Sequence, residues 1–297
     1  MQKLLRSFAG VALASLIVLV GLAQASFAEM HPDWTAPLPP FHIAGNLYYV
    51  GSRDLASYLI VTPDGDILIN SNLQSSPAQI QRSVESLGFK FTDVKILLIS
   101  HAHFDHAAGS AAILRKTGAK YMVMDADVPV VESGGRKDFA YPNDHYPPAK
   151  VDRVLHDGDL VRLGGTVLVA HKTPGHTPGC TTWTMQVMDA GKLRNVVIVG
   201  SWNVNAGYRL VDRPGKPASY PGIAADYQKT FAILKSLPCD IFLGAHGGYF
   251  GMLAKLQRAK AGASDVWIDP AGYRAAVEEK ERAFEAELKK QQSDVSH

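Results

Sequence analysis

Cysteine is scarce in this chain. Its 297 residues include only two, Cys180 and Cys239. The two could pair in an oxidising compartment, but both lie beside apolar, strand-like sequence, so we expect two separate buried thiols. A chain of this length can bury a hydrophobic core without a disulfide.

The chain also lacks an excess of charge of one sign. It contains 30 Lys and Arg and 28 Asp and Glu, and residues 1–28 hold two of the cations, Lys3 and Arg6, with no acidic residue. The remainder therefore balances at 28 (30 minus 2) against 28. This balance gives no indication of a nucleic-acid partner or of an anionic membrane surface. We find no low-complexity segment, heptad pattern or repeat of fixed period.

Long apolar runs are absent after the N-terminus, where one covers roughly residues 8–22. Cations precede this run, and small residues follow at 23–25 (AQA) and 26–28 (SFA), the spacing that a signal peptidase accepts. We expect residues 1–28 to be a cleaved signal peptide and residues 29–297 to be a single periplasmic domain without a membrane segment. An uncleaved membrane anchor is the alternative.

One strand and one helix are well marked. The run VKILLIS at residues 94–100 is almost wholly apolar, as expected of a strand buried on both faces. Ser76 is predicted to cap a helix that starts at Pro77, with Gln79 completing a capping box and Gly88 ending the helix.

The apolar strand belongs to a strand, turn, helix, strand unit. The segment AAGSAAILRKTG after the turn is predicted to be a helix that ends at Gly118. Ligands bind at the carboxyl ends of strands in such units, which is where the turn lies. Residues 133–150 contain two glycines and three prolines without periodicity, and we expect a long functional loop there.

The turn carries four metal-binding side chains in the pattern H-x-H-x-D-H: His101, His103, Asp105 and His106. Two further histidines, His176 and His246, follow apolar strands and are flanked by glycine or proline. Together these side chains supply three ligands for each of two metals. Imidazole with carboxylate suits zinc, although iron and manganese remain open. Three protein ligands leave a coordination position free, which is typical of a catalytic site.

The remaining histidines are expected to be surface, rim or tail residues: His31, His42, His145, His156, His171 and His297. His171 is the nearest rival as a ligand, because it lies five residues before His176.

H-x-H-x-D-H after a buried strand, a glycine-histidine after a second strand and a later strand ending in histidine resemble the metallo-β-lactamase fold superfamily. The resemblance covers roughly residues 40–260. It implies an α/β fold, an αββα sandwich with a dinuclear metal site at one edge of the two sheets. The superfamily includes lactam hydrolases, thioesterases such as glyoxalase II, lactonases and nucleases, so the fold does not settle the function.

The segment NVVIVGSWNVNAGYRL at residues 195–210 resembles class B, subclass 3 metallo-β-lactamases, as do GHTPGCTTW and LPCDIFLGAHGG. Thioesterases and lactonases of this fold carry a metal-bridging aspartate after this strand, where the present chain has Gly200 and Ser201. The resemblance implies a zinc-dependent β-lactamase that opens penicillins, cephalosporins and carbapenems with a metal-bound hydroxide and confers antibiotic resistance. A thioesterase or lactonase, or a non-catalytic zinc-binding protein of the periplasm, is the alternative.

The resemblance also implies residue roles. One Zn2+ would be held by His101, His103 and His176, and a second by Asp105, His106 and His246, with Asp105 also orienting the nucleophile. Substrate contacts are expected from the residues after the strand, Ser201, Asn203 and Asn205. Aromatic residues in irregular sequence either pack locally or wall the substrate groove: Trp34, Phe139 and Tyr141. The expected partner is a small-molecule β-lactam, and the expected oligomeric state is a monomer.

Two departures from the subclass stand out. Asn70 occupies a position that is often aspartate, and Cys239 matches a position that several members pair with a C-terminal cysteine that this chain lacks.

Overall fold

The computed structural model describes residues 31–294, so the expected signal peptide and His297 lie outside the described residues. Strand β5 (Val94–Leu98) shows how the chain is layered. Ile96 and Leu98 point into one apolar core, whereas Leu97 points into a second core on the other face. The prediction of a strand buried on both faces is confirmed.

The first sheet has seven strands in sequential order, antiparallel from β1 to β4 and parallel from β4 to β7. Besides β5, its strands are β1 (Phe41–Ala44), β2 (Leu47–Tyr49), β3 (Tyr58–Thr62), β4 (Gly65–Ile69), β6 (Lys120–Met124) and β7 (Arg153–Leu155).

The second sheet has five strands in the order β12-β11-β10-β9-β8, and only the β11–β12 pair is parallel. Its strands are β8 (Leu160–Leu163), β9 (Thr166–Lys172), β10 (Thr181–Asp189), β11 (Lys192–Val199) and β12 (Ile241–Gly244). Strands β9, β11 and β12 run in the same direction, so their carboxyl ends meet at one edge of the sheet.

Helices cover the outer faces of both sheets, which gives the expected αββα sandwich. They are α1 (Pro32–Thr35), α2 (Pro77–Ser86), α3 (Phe104–Ala107), α4 (Ser110–Thr117), α5 (Val128–Glu132), α6 (Ile223–Ser236), α7 (Met252–Lys260) and α8 (Pro270–Ser293). Ile80 of α2 and Ile113 of α4 enter the outer core on the first sheet. On the second sheet, α6 packs against α8 through Phe231 and Phe284, whose rings lie 5.8 Å apart. None of the helices within residues 31–294 is long and apolar enough to cross a membrane.

One helix boundary follows the predicted signal and one does not. Gly118 ends α4 in the left-handed conformation. At α8, Asp269 is the N-cap and accepts a 2.9 Å hydrogen bond from the Gly272 amide. The predicted capping box at Ser76 and Gln79 is wrong. Ser76 has helical backbone angles and its side chain makes no capping hydrogen bond, because a cap of this kind requires extended backbone.

The two cysteines are unpaired, as expected. Cys180 is buried, whereas Cys239 is only partly buried, so the prediction that both are buried thiols is wrong for Cys239.

Candidate metal centre

The first ligand set is formed by His101, His103 and His176, whose nearest nitrogens all lie within 4.8 Å of one another. His101 and His103 lie in the turn after β5, and His176 lies between β9 and β10. The two sheets therefore each contribute to the set at the edge where the carboxyl ends of their strands meet. All three imidazoles are buried.

The second ligand set is formed by Asp105, His106 and His246. Oδ2 of Asp105 lies 3.3 Å from Nε2 of His106 and 3.5 Å from Nε2 of His246, and the two Nε2 atoms are 3.2 Å apart. Ligands about 2.0–2.1 Å from a tetrahedral zinc are separated by roughly 3.3–3.4 Å. The spacing of these three atoms therefore fits a tetrahedral metal. His101 also lies within 4.8 Å of Asp105 and His106, so the two sets adjoin.

His101 shows most plainly that the cluster is built for a metal. Both of its ring nitrogens are buried and have no hydrogen-bond partner among the described residues, and Nδ1 of His106 is also unpartnered. Burying a polar atom without a partner is costly, and such atoms are rare in folded proteins. Coordination at the imidazole satisfies one of the unpartnered nitrogens of His101.

Outer contacts fix the orientation of the other histidines. Nδ1 of His176 lies 2.9 Å from the Asn203 carbonyl oxygen, and Nδ1 of His246 lies 2.8 Å from Oδ2 of Asp54. Metal-binding histidines usually donate their second ring N–H in this way, which sets the tautomer and leaves the other nitrogen for the metal. In both residues the available atom is Nε2.

The ring of His103 is held from a different side. Its Nε2 lies 3.5 Å from the hydroxyl of Tyr208 and 3.6 Å from Oδ1 of Asp138. Nδ1 is therefore the nitrogen of His103 that is available to a metal.

The imidazoles differ in their tendency to take up a proton. Burial lowers the pKa of His103 to about 4 and those of His106 and His176 to about 3. For His246, burial acts in the same direction, but hydrogen bonds with Asp105 and Asp54 outweigh it and raise the pKa to about 9.

The carboxyl group of Asp105 remains ionised. Burial favours its neutral form, but the charge interaction with His106 and the hydrogen bond with His246 hold its pKa well below the ordinary range.

Two buried side chains hold the histidine turn in place. Oδ1 of Asn70 accepts a 2.7 Å hydrogen bond from the Ser100 amide, and Asn70 itself adopts a positive φ of 68°, which asparagine tolerates better than most residues. Oδ2 of Asp127 accepts hydrogen bonds from the Ala102 amide at 2.8 Å and the Thr177 hydroxyl at 2.9 Å. Asp127 thus ties the turn to the loop that carries His176.

A cleft of about 270 Å³ opens over the two ligand sets. Its walls contain no lysine or arginine among the described residues, and they consist of His31, Trp34, His103, Phe104, Asp105, Tyr141, His176, Asn203, Asn205, His246 and Tyr249. The cleft thus brings together four of the residues predicted to contact substrate: Trp34, Tyr141, Asn203 and Asn205. It also includes His31, which is exposed, as expected of a surface or rim residue, and stacks on Trp34 at 4.3 Å.

Two predicted contact residues do not line the cleft. Ser201 is buried beneath it, with Oγ 3.0 Å from the hydroxyl of Tyr249. The ring of Phe139 packs against Tyr208 at 5.1 Å and Tyr220 at 5.2 Å. His171 lies on β9 with Nε2 2.8 Å from Oγ1 of Thr184, outside both ligand sets.

Sequence reasoning missed Asp54, Tyr208 and Tyr249. Asp54 lies 192 positions from His246, so no local pattern links the two. Tyr249 lies only three residues after His246, and that proximity was the available signal.

Residues 53–246, more than half of the chain, match the family model described as the metallo-beta-lactamase superfamily. The chain belongs to this superfamily. The FEZ-1 metallo-beta-lactamase from Legionella gormanii is 56% identical, with a TM-score of 0.84 over 86% of this chain and 98% of that chain. BJP-1, a subclass B3 metallo-beta-lactamase of Bradyrhizobium japonicum, is 40% identical, with a TM-score of 0.81 over 88% of this chain and 98% of that chain. The chain is a class B3 metallo-β-lactamase by family.

Curated relatives share a shorter region. A hydroxyacylglutathione hydrolase of Methylobacterium sp. (strain 4-46) is 30% identical over 104 residues, 35% of this chain and 33% of the relative. The chain spans less than half the length of the curated relatives that it matches.

Proposed function

We propose that the chain is a zinc-dependent β-lactamase that hydrolyses the lactam amide of penicillins, cephalosporins and carbapenems and so confers antibiotic resistance. One observation carries the proposal. The strand that supplies a bridging aspartate in the thioesterases and lactonases of this fold ends here at Gly200 and Ser201. The Ser201 hydroxyl is turned to Tyr249. The similarity to the two metallo-beta-lactamases supports the same choice.

We infer that the two ligand sets hold one zinc ion each, the first on three imidazoles and the second on Asp105, His106 and His246. The ligand atoms fit, because they are imidazole and carboxylate and the second set has tetrahedral spacing. Bound zinc would lower the pKa of a water molecule to about 7 and polarise the lactam carbonyl.

The residues of the chain prepare this chemistry in three ways. Asp105 stays ionised and lines the cleft, so its carboxylate can accept a hydrogen bond from the attacking water and orient it. Trp34 and Phe104, whose rings lie 6.3 Å apart, form an apolar wall that displaces water from one side of the bound lactam. Asn203 fixes His176 through its carbonyl oxygen, which keeps the imidazole in one orientation.

A thioesterase activity is the second candidate, since a curated relative is a hydroxyacylglutathione hydrolase. The end of β11 weighs against it. A carboxylate there would add negative charge between the two ligand sets and would occupy space that a bicyclic lactam needs. The side chain of Ser201 is neutral and smaller, so it has neither effect.

The test uses residues 29–297, purified and loaded with zinc, against nitrocefin and a carbapenem. We expect rapid ring opening that a chelator abolishes and added zinc restores. Absence of hydrolysis of every β-lactam by fully zinc-loaded protein would refute the proposal.

We also propose export to the periplasm after removal of the signal sequence. The cations, the apolar run and the small residues before residue 29 support it. Mass spectrometry of protein from the native host should find a chain that begins after residue 25 or 28. A mass that includes Met1 would refute cleavage.

A further inference from the structure

Two asparagines of one loop each support a tyrosine hydroxyl in the cleft. Nδ2 of Asn203 donates to the hydroxyl of Tyr249 at 3.2 Å, and Nδ2 of Asn205 donates to the hydroxyl of Tyr141 at 2.8 Å. A phenol that accepts a hydrogen bond keeps its own proton for another acceptor. All four residues line the cleft, so both phenols lie where a bound molecule can contact them.

Tyr249 is held more firmly than a surface tyrosine would be. Its hydroxyl also pairs with Ser201 at 3.0 Å, and Ser201 is 1% exposed, so the serine hydroxyl has no access to solvent. The ring lies against Gly244, where a Cβ would come within 2.9 Å of it. Glycine at the end of β12 therefore lets the tyrosine ring approach the backbone closely.

Tyr249 and Tyr141 lie on opposite sides of the cleft. The ring of Tyr249 lies 5.1 Å from that of His246, in the second ligand set, whereas the ring of Tyr141 lies 4.8 Å from that of His103, in the first. The two hydroxyl groups would therefore contact opposite ends of a bound molecule.

The cleft has to accommodate an anionic group without a cationic side chain. Bicyclic β-lactams carry a carboxylate on the carbon attached to the ring nitrogen, and the described walls of the cleft contain no lysine or arginine. Neutral hydrogen-bond donors are therefore the side chains available to this carboxylate, and hydrogen bonds to a charged acceptor are stronger than those to a neutral one.

We propose that Tyr249 is a specificity-determining residue that donates its hydroxyl proton to the substrate carboxylate, with Ser201 and Asn203 holding the hydroxyl in place. The inference rests on the proposed β-lactamase function and places the lactam nitrogen on the side of His246. Tyr249 then selects substrates that carry an acid next to the ring nitrogen. Tyr141, at the other end, does not take part in that selection.

The test compares Tyr249→Phe with the unmodified chain on benzylpenicillin and on benzylpenicillin methyl ester. Loss of a hydrogen bond to a charged group should raise KM for the acid about 10- to 100-fold, while KM for the ester changes by less than about 3-fold. The turnover number should change little for either substrate. Ser201→Ala, which leaves the phenol in place but unsupported, should shift KM in the same direction by a smaller factor.

Tyr141→Phe is the matched control, because it removes a phenol hydroxyl that is also supported by an asparagine in the same cleft. It should affect the acid and the ester by the same factor. Calorimetric binding of the hydrolysed products, acid and monoester, gives a readout independent of turnover, and Tyr249→Phe should weaken the acid product selectively. Zinc content and melting temperature of each variant establish that the fold is intact.

Equal changes for acid and ester in Tyr249→Phe, or no change for either, would overturn the inference. Failure of the proposed function is distinguishable, since in that case the unmodified chain would open neither substrate.

Discussion

Oδ2 of Asp54 lies 2.8 Å from Nδ1 of His246, and Oδ1 of the same carboxylate accepts a 2.9 Å hydrogen bond from the Gly248 amide. One aspartate thus fixes both the ring of His246, a proposed metal ligand, and the backbone just after it. Because its carboxylate carries a charge, it also makes the imidazole of His246 more basic, and therefore a better ligand.

Asp54→Asn should lower the affinity of the second site for zinc by about 10- to 100-fold. The affinity of the first site should stay almost unchanged. The amide can still orient the ring, but it supplies no negative charge. Competition with a chromophoric chelator measures both affinities. Asp33→Asn is a suitable control, since Asp33 pairs with Arg53 at 2.8 Å on the surface, where such pairs contribute little. Equal zinc affinities in Asp54→Asn and the unmodified chain would show that Asp54 does not contribute to metal binding.

The two proposed zinc ions should differ in the number of protons that they displace on binding. A metal binds neutral imidazole, and the pKa of His246 is raised to about 9, so in zinc-free protein at pH 7 this residue is protonated. His103 and His176, with pKa values of about 4 and 3, are already neutral. At pH 7 the second zinc should therefore release about one proton and the first close to none.

The affinity for the second zinc should accordingly fall as the pH falls below about 9, while affinity for the first holds until the pH approaches about 4. Calorimetry in two buffers of different ionisation enthalpy counts the protons. Identical proton release for both zinc ions would contradict this assignment of protonation states.

Removing one ligand from either set should lower the zinc content by about one ion per chain and abolish nearly all β-lactamase activity. His101→Ala tests the first set and His246→Ala the second, since each leaves two protein ligands and a position that water must fill. Metal analysis of the purified variants gives the count. His171→Ala serves as control, because His171 pairs with Thr184 outside both sets. Two full equivalents of zinc in both ligand variants would exclude these histidines as ligands.

The aromatic residues predicted at the rim should separate into two kinds. Trp34 lines the cleft, with its ring 5.8 Å from that of His246, so Trp34→Ala should raise KM several-fold through lost apolar contact. Phe139 packs behind His103 and contacts Tyr208, so Phe139→Ala should lower the free energy of unfolding by about 1–3 kcal/mol, less than for a fully buried ring. Steady-state kinetics and chemical denaturation distinguish the two effects. The reverse pattern would show that Phe139 walls the groove and that Trp34 supports the fold.

The sequence predicts those parts of the site that depend on local spacing. H-x-H-x-D-H follows a strand recognisable by its apolar residues, and the fold brings His176 and His246 to the same edge because β9 and β12 end there. Features set by contacts between distant segments could not be predicted. Gln291 is an example, since its amide accepts from the Leu210 amide and donates to the Tyr208 carbonyl some 80 positions away.

Ser201 shows the same limit within the site. Its position after β11 indicated a residue facing substrate, but the direction of its hydroxyl depends on Tyr249, which a different strand positions. A local motif identifies the residue without fixing its hydrogen-bond partner. Helix capping at Ser76 failed for a related reason, because the backbone conformation that a cap needs is set by the preceding turn.

Ser201→Asp should retain both zinc ions and lose most β-lactamase activity. A carboxylate at this position would add negative charge near both proposed ligand sets, which would weaken bound zinc as a Lewis acid and raise the pKa of metal-bound water. Zinc analysis together with nitrocefin hydrolysis checks both parts. Full activity with an aspartate at position 201 would show that the absence of a bridging carboxylate does not determine the chemistry.

The most direct measurement compares initial rates of the zinc-loaded chain, residues 29–297, on three substrate classes at one pH. The substrates are β-lactams from each class, S-D-lactoylglutathione and an acyl-homoserine lactone. The proposed function predicts that β-lactams are opened much faster than the thioester or the lactone is cleaved. Faster turnover of the thioester or the lactone than of every β-lactam would contradict it, whereas the proposed metal site would be unaffected.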